Sequence, residues 1–366
     1  MLRDMLCAAL ERQAPWDKLR AWSEALDFSA FDACVAHNGW AGIGTLEAQG
    51  GQGGGVVEQA LLFEALGHQA APSGALFAQM AALALACQGG VTAADMSSLV
   101  DGQVVAAFDA RGPLDARPSG LRADGAAMSG ELPFALRSGV SHRGWLLLVP
   151  ERSAEGDACG LWRVEADAPG LTLSPQPMLD RTRAFATLRL HQVPARRIGQ
   201  LSPAALAAVN ARLAVLLAAE SLGLSRRMLA MTVAYVAQRV QFGVAVGSFQ
   251  AVKHEAAQML VDLEAAHSGI YYAAWALDEI EADGAMHAWI AKAFTCEAAA
   301  RTADRALMLH GAIGYTLEYD LQFFFKRAKL NVELLGSPRQ YRERLAASLP
   351  LLPESCNPPS TAELNP

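Results

Sequence analysis

The sequence predicts an α+β, mainly α-helical chain: an N-terminal helical domain, a small antiparallel β domain in the middle and a C-terminal four-helix bundle. Three observations predict it. Apolar residues recur at three- and four-residue spacing toward both ends. Short β-rich runs, separated by Gly, Pro and Asp-Gly signals, occupy the middle. The composition is 52% hydrophobic against 18% charged, which suits extensive helix–helix packing or a large oligomer interface. A chain of 366 residues exceeds one small core, so two or three packed units are expected.

The first domain is read as residues 1–101. Its helical spacing is clearest over 16–26 and 56–66, with a further helix expected over 77–87. Between the first two stands Gly50-Gly51-Gln52-Gly53-Gly54-Gly55. A phosphate loop needs a preceding strand and a following Lys-Ser/Thr, and neither is there, so the run reads as a turn before a helix. Residues 102–200 form the β domain, with strand-like runs at 104–108, 145–149, 160–164 and 185–190; their length and spacing suggest a small barrel or sandwich. Residues 201–350 are helical again. Leu213, Leu216, Leu217 and Leu224 mark one helix, Phe249, Val252, Met259 and Leu263 a second, and Ile290, Ala291, Phe294 and Ala298 a third. A fourth is expected within 321–347. Four helices with short connections read as an antiparallel bundle. The proline-rich, polar residues 351–366 read as a tail.

Composition excludes several function classes. The net charge is −7 with no basic block, which argues against a nucleic-acid partner. The longest apolar stretch is interrupted by Asn210, Arg212, Glu220 and the Arg226–Arg227 pair, so no membrane insertion is expected. Arg3, Asp4, Glu11 and Arg12 are wrong for a secretory leader, and a cytoplasmic location follows as the default. Six dispersed cysteines without a CxxC pair read as free thiols, and eight dispersed histidines show no metal-ligand spacing.

Two motifs carry chemistry. Arg239-Val240-Gln241-Phe242-Gly243 is followed by Gly247-Ser248-Phe249-Gln250-Ala251-Val252: an arginine closes a helix, a glycine turn follows, and the next helix opens on an aromatic and a polar residue. Leu309-His310-Gly311-Ala312-Ile313-Gly314-Tyr315 is a turn whose small residues let backbone approach a bulky group. Both segments, in this order and at this separation, resemble the C-terminal bundle of the acyl-CoA dehydrogenase family. Weaker likeness covers residues 39–55 and His191-Gln192-Val193-Pro194-Ala195, so the resemblance spans nearly the whole chain.

The resemblance implies FAD bound between subunits, α,β-desaturation of an acyl-CoA thioester, and an electron-transfer flavoprotein as acceptor. By position, Arg239 would meet the FAD pyrophosphate of a neighbouring subunit, where a guanidinium fork suits paired phosphate oxygens. Gln241 and Phe242 would lie near the cofactor, Phe249 and Gln250 beside its adenosine half, Gly311 and Ala312 close to its pyrophosphate or adenosine, and Ser337 in the family's Gly-Thr/Ser pair. The plainer alternatives are that Arg239 only serves the last helix carbonyls and that Phe249 is core.

The family pattern is broken where its chemistry resides. The glutamate that serves as base in most members aligns with Leu335 in Leu334-Leu335-Gly336-Ser337, and leucine cannot take a proton. A second position used by some relatives falls at Leu213. The nearest carboxylates are Glu333, which on one helix would point about 200° away from Leu335, and Glu220, roughly 10 Å beyond Leu213. Ala107-Phe108-Asp109-Ala110-Arg111-Gly112 and Phe134-Ala135-Leu136 stand near two flavin-facing segments but offer few side-chain donors. Loss of a general base alone costs about 10²- to 10⁴-fold. Residues 325–345 resemble the steroid side-chain subgroup, whose members form mixed α₂β₂ assemblies in which one chain type carries the base. The expected role is therefore the partner lacking the base in a heteromeric enzyme, with no catalytic residue of its own. A self-sufficient enzyme using Glu220 or Glu333, and a flavin-free scaffold for acyl-CoA or a partner, are the alternatives.

Overall fold

The computed structural model describes residues 2–115, 120–136, 142–153, 156–280 and 284–349; the expected tail, 351–366, lies outside them. Six helices come first: α1 (Leu2–Gln13), α2 (Trp16–Ala25), α3 (Ser29–His37), α4 (Val56–His68), α5 (Gly74–Gly89) and α6 (Ala93–Val100). The glycine run is a turn whose last member, Gly55, caps α4, its N–H held by the Glu58 carboxylate at 2.7 Å.

The described residues in the middle of the chain form eight strands: β1 (Val104–Ala107), β2 (Leu121–Asp124), β3 (Ala127–Leu136), β4 (Gly144–Ser153), β5 (Gly156–Glu165), β6 (Leu171–Gln176), β7 (Phe185–Pro194) and β8 (Arg196–Leu201). They build two four-stranded sheets, in the orders β1-β4-β5-β8 and β2-β3-β7-β6. Every pairing in them is antiparallel except β1 with β4, which is parallel. Side chains of both sheets, among them Val105, Leu147, Leu161, Leu132 and Leu188, enter one hydrophobic core shared with α4, α5 and the next helix.

That helix, α7 (Pro203–Gln238), is the axis of the bundle. It starts at a built N-terminus: Ser202 accepts the Ala205 N–H at 3.1 Å, and Pro203 occupies a position that needs no donor. Its central residues are mostly apolar because neighbours cover every face, and Leu213, Leu216, Leu217, Leu222, Leu224 and Met228 are buried. Each such side chain contributes roughly 1.5–3 kcal/mol. By length and apolarity α7 could cross a membrane, but its place at the centre of the bundle accounts for that composition. Where α4 crosses it, Gly67 and Gly223 let the backbones touch; a Cβ on either would fall about 2 Å from a carbonyl oxygen of the other helix, Glu220 and Glu64 respectively.

Around α7 stand α8 (Gln250–Glu279), α9 (Gly284–His310) and α10 (Leu321–Glu333). The segment expected to contain the fourth helix yields α10 and then α11 (Pro338–Ser348). The break lies at Leu334–Ser337: Leu335 and Gly336 take positive φ, 55° and 105°, and Ser337 with Pro338 starts a new helix. Between α7 and α8 the chain makes a hairpin of β9 (Val240–Gln241) and β10 (Val244–Ala245).

Candidate functional site

The two sequence motifs meet at one end of the bundle. α7 and α9 finish there, and α8 and α10 begin there. Arg239 leaves α7 in extended conformation, its N–H bonded to the Tyr235 carbonyl at 2.9 Å and its carbonyl accepting the Val246 N–H at 2.7 Å. Phe242 and Gly243 both take positive φ, 53° and 79°, as a type I′ hairpin turn requires. The turn projects Phe242, 93% exposed, with the Phe249 ring edge-on at 6.2 Å. Phe249 is itself exposed and precedes the first turn of α8, which removes the reading of it as core. Arg239, Gln241 and Gln250 are also exposed. Gln241 donates to the adjacent Val240 carbonyl at 2.7 Å. Among the described residues the Arg239 guanidinium has neither an ion-pair nor a hydrogen-bond partner. Gly311, at φ 64°, and Ala312 are exposed on the turn that ends α9. An unpaired guanidinium next to the N-terminus of a 30-residue helix is suited to an anion.

Ser337 is not part of this cluster. α10 carries the chain away by roughly 20 Å, and Ser337 caps α11 in a reciprocal box with Gln340, its N–H bonded to Gln340 Oε1 at 2.9 Å. Its hydroxyl serves a helix terminus.

Three other segments singled out in the sequence converge at the opposite end of α10. Ala110 joins them: its N–H reaches the Phe134 carbonyl at 3.4 Å, and its carbonyl accepts the Leu335 N–H at 2.8 Å. Tyr341 donates its hydroxyl to the Leu335 carbonyl at 2.8 Å. Lys292, wholly buried, gives its ammonium to the Asn331 carbonyl at 2.7 Å in the last turn of α10, where cationic donors are favoured. The turn is thus clamped from both sides in a left-handed conformation that leucine dislikes. The constellation is closed and apolar: Leu335 and Ala135 are 0% exposed, and Phe108, Ala110, Leu114 and Leu136 are buried with them. Glu333 is exposed at the last position of α10. It and Leu335 do not share a helix, so the expected 200° divergence gives way to a different reason for keeping the roles apart: one faces solvent and the other the core.

Glu220 has a structural occupation that the sequence did not reveal. It is fully buried, and both carboxylate oxygens are engaged. One accepts Ser73 Oγ at 2.5 Å and Arg327 Nη1 at 2.7 Å; the other accepts Arg183 Nη2 and Asn331 Nδ2, each at 2.7 Å. Arg327 also pairs with Asp180 at 2.5 Å and donates to Thr182. Two carboxylates and two guanidiniums, all buried, therefore balance between the β domain, α5, α7 and α10. Burial by itself would raise the Glu220 pKa, but Arg183 and Arg327, with Ser73 and Asn331, outweigh it and hold the group below the usual carboxylate range. A carboxylate so stabilised is a poor proton acceptor. At the second position used by relatives, Leu213 is buried as well, and the adjacent Arg212 is occupied by Gln59 Oε1 and the Gly44 carbonyl, both at 2.7 Å.

Residues 207–349 match the family model described as acyl-CoA dehydrogenase, C-terminal domain. Acyl-CoA dehydrogenase IpdE2 of Mycolicibacterium smegmatis is 28% identical over 352 residues, covering 95% of this chain and 98% of its own. Over residues 207–349 this chain carries the acyl-CoA dehydrogenase C-terminal domain, and its resemblance to the family extends over nearly its whole length. Among solved structures, the Tcur3481–Tcur3483 steroid ACAD superposes with a TM-score of 0.81 at 28% identity, over 94% of this chain and 96% of that one. Butyryl-CoA dehydrogenase from Megasphaera elsdenii shares the fold, with a TM-score of 0.81 at 21% identity over 94% and 97%.

Acyl-CoA dehydrogenases are FAD-dependent, and the two ends of this chain's bundle fit that cofactor unequally. The exposed Arg239 end, with its free guanidinium, fits a diphosphate. Among the described residues, the side chains of Leu335, Ala110 and Leu136 at the other end are apolar and buried.

Proposed function

We propose that this acyl-CoA dehydrogenase family member is the subunit lacking the catalytic base in a heteromeric, FAD-dependent acyl-CoA dehydrogenase acting on a bulky, steroid-derived acyl-CoA. The observation that carries the reading is Leu335, wholly buried at the base position on a turn whose backbone is still held by Ala110 and Tyr341. The second chain, also of this family and retaining a carboxylate there, would take the substrate α-proton; FAD, when bound, would supply the hydride-accepting chemistry, with an electron-transfer flavoprotein as electron acceptor. This chain supplies Arg239, with Gln241, Phe242, Phe249, Gln250 and the 311–312 turn, to the diphosphate and adenosine end of its neighbour's FAD. The likeness to IpdE2 and to a steroid ACAD whose name joins two components supports the pairing. The occupied state of Glu220 and the exposure of Glu333 weigh against a self-sufficient enzyme.

The test is the flavin spectrum and FAD-to-chain ratio of the chain purified alone and co-expressed with a base-carrying family member. The expected result is little flavin alone and about one FAD per two chains in the complex, the partner's mass action stabilising the shared site. Near one FAD per chain, with turnover, in the isolated homo-oligomer would overturn the reading. Absence of flavin from every assembly would leave the scaffold.

A further inference from the structure

Tyr235, His310 and Tyr319 come from the end of α7, the end of α9 and the residues just before α10, and they meet as one stacked group. The Tyr235 ring lies on His310 at 4.6 Å and 22°, and the Tyr319 ring lies against His310 at 5.1 Å. His310 is 3% exposed. Its Nδ1 is 2.7 Å from the Ala306 carbonyl oxygen, which can only accept, so Nδ1 carries the proton. Nε2, 3.1 Å from the Tyr319 hydroxyl, is then the acceptor of the phenol proton. Burial holds the imidazole below its ordinary pKa against the opposing effect of the Ala306 bond, which suits the neutral tautomer.

Each member also lies next to backbone of the candidate site. The Tyr235 main-chain carbonyl accepts the Arg239 N–H at 2.9 Å in the last turn of α7, so the stacked ring is anchored on the turn from which the hairpin departs. His310 precedes Gly311, and Gly314 folds back over it; a Cβ on Gly314 would lie 3.1 Å from the His310 Cβ. Tyr319 closes the far side of that segment, and its neighbour Asp320 is held by Arg20 at 2.7 Å.

We infer that Tyr235, His310 and Tyr319 are positioning residues that lock the Arg239 hairpin and the 311–315 turn into one rigid face for a diphosphate-bearing nucleotide. The inference rests on the reading that this face serves the neighbouring subunit's FAD. If the group is one body, removing a ring at one element must loosen the other. In Tyr235→Ala, amide hydrogen exchange should rise about tenfold both at Val246, beside the hairpin, and at Thr316, in a turn to which Tyr235 makes no hydrogen bond. In the complex, the FAD dissociation constant should rise about tenfold with acyl-CoA affinity unchanged. Tyr235→Phe keeps the ring and the backbone and should restore both. Tyr319→Phe, which loses only a hydroxyl, is the milder variant should Tyr235→Ala fail to fold, and should speed exchange in both segments by a smaller factor. Faster exchange confined to the hairpin would overturn the inference even in a flavin-loaded complex. Coupled exchange in a protein that takes up no flavin in any assembly would uphold the positioning unit and sink the FAD reading instead.

Discussion

Replacing Glu220 by glutamine removes one of the two carboxylates that neutralise Arg183 and Arg327 and leaves a net positive charge wholly inside the protein. The wild-type carboxylate accepts four hydrogen bonds, two on each oxygen. Glutamine has one acceptor oxygen and one NH₂, so whichever way the amide turns, two donors face another donor. Breaking a buried ion pair from one side costs about 3–5 kcal/mol. In a chain of this size each kcal/mol moves Tm by roughly 1–3 °C, giving a drop on the order of 5–10 °C. The wild-type contribution also depends on pH with a definite sign. Because Glu220 is held below its unfolded pKa, its stabilisation is present above the unfolded value and is lost as pH falls through the folded one; the glutamine variant lacks that loss. Thermal unfolding followed by circular dichroism, with turnover per folded complex measured below the transition, separates the two roles. A large Tm loss with turnover preserved is expected. Unchanged Tm together with abolished turnover would refute the structural account and make Glu220 the base.

Two further predictions follow from the same structure. Phe242→Asn places a residue that tolerates positive φ at the hairpin tip and should stabilise the isolated chain by about 0.5–1 kcal/mol in urea unfolding. Because the exposed ring is also lost, the same variant should hold its partner and FAD less tightly in size-exclusion and flavin-release assays; tighter assembly would contradict the role given to this tip. At His68, burial and then Arg227, Arg226 and Arg3 push the pKa down to about 4 from 6.5. The unfolded chain therefore takes up the proton first, and stability is intact above about pH 6.5 and lost as pH falls toward 4, by roughly 2 kcal/mol between pH 7 and 5. The urea midpoint of His68→Gln should fall correspondingly less across that interval, and an acid limb as steep as wild type would count against the account.

Some features of the fold were hidden in the sequence for identifiable reasons. Strands β2, β3, β6 and β8 did not stand out because several alternate poorly or carry polar residues on exposed edges; β6 is half-exposed throughout, and β3 is interrupted by register shifts near Gly130 and Phe134. The parallel β1–β4 pairing joins residues 40 apart, which no local pattern records. The Glu220 network was equally out of reach: its partners Arg183 and Arg327 lie 37 and 107 residues away. A hint was available in single charged residues, Glu220 and Lys292, set within apolar helical runs, since such groups are buried only when paired.

By itself the sequence determined the succession of helical, β and helical segments and the two motifs at the bundle end, and its resemblance to the family put a leucine where most members carry the base. Periodicity and short motifs report local geometry and residue chemistry directly, and that sufficed. The tertiary structure alone decided that Ser337 caps a helix, that Glu220 is consumed by two arginines, that Phe249 faces outward, and that the Leu335 turn is shut. Each of these depends on which distant side chain fills the neighbouring space. Burial and hydrogen-bond partners arise only when separate elements pack, and it is packing that turns a carboxylate into a counter-ion or leaves an arginine free for a ligand.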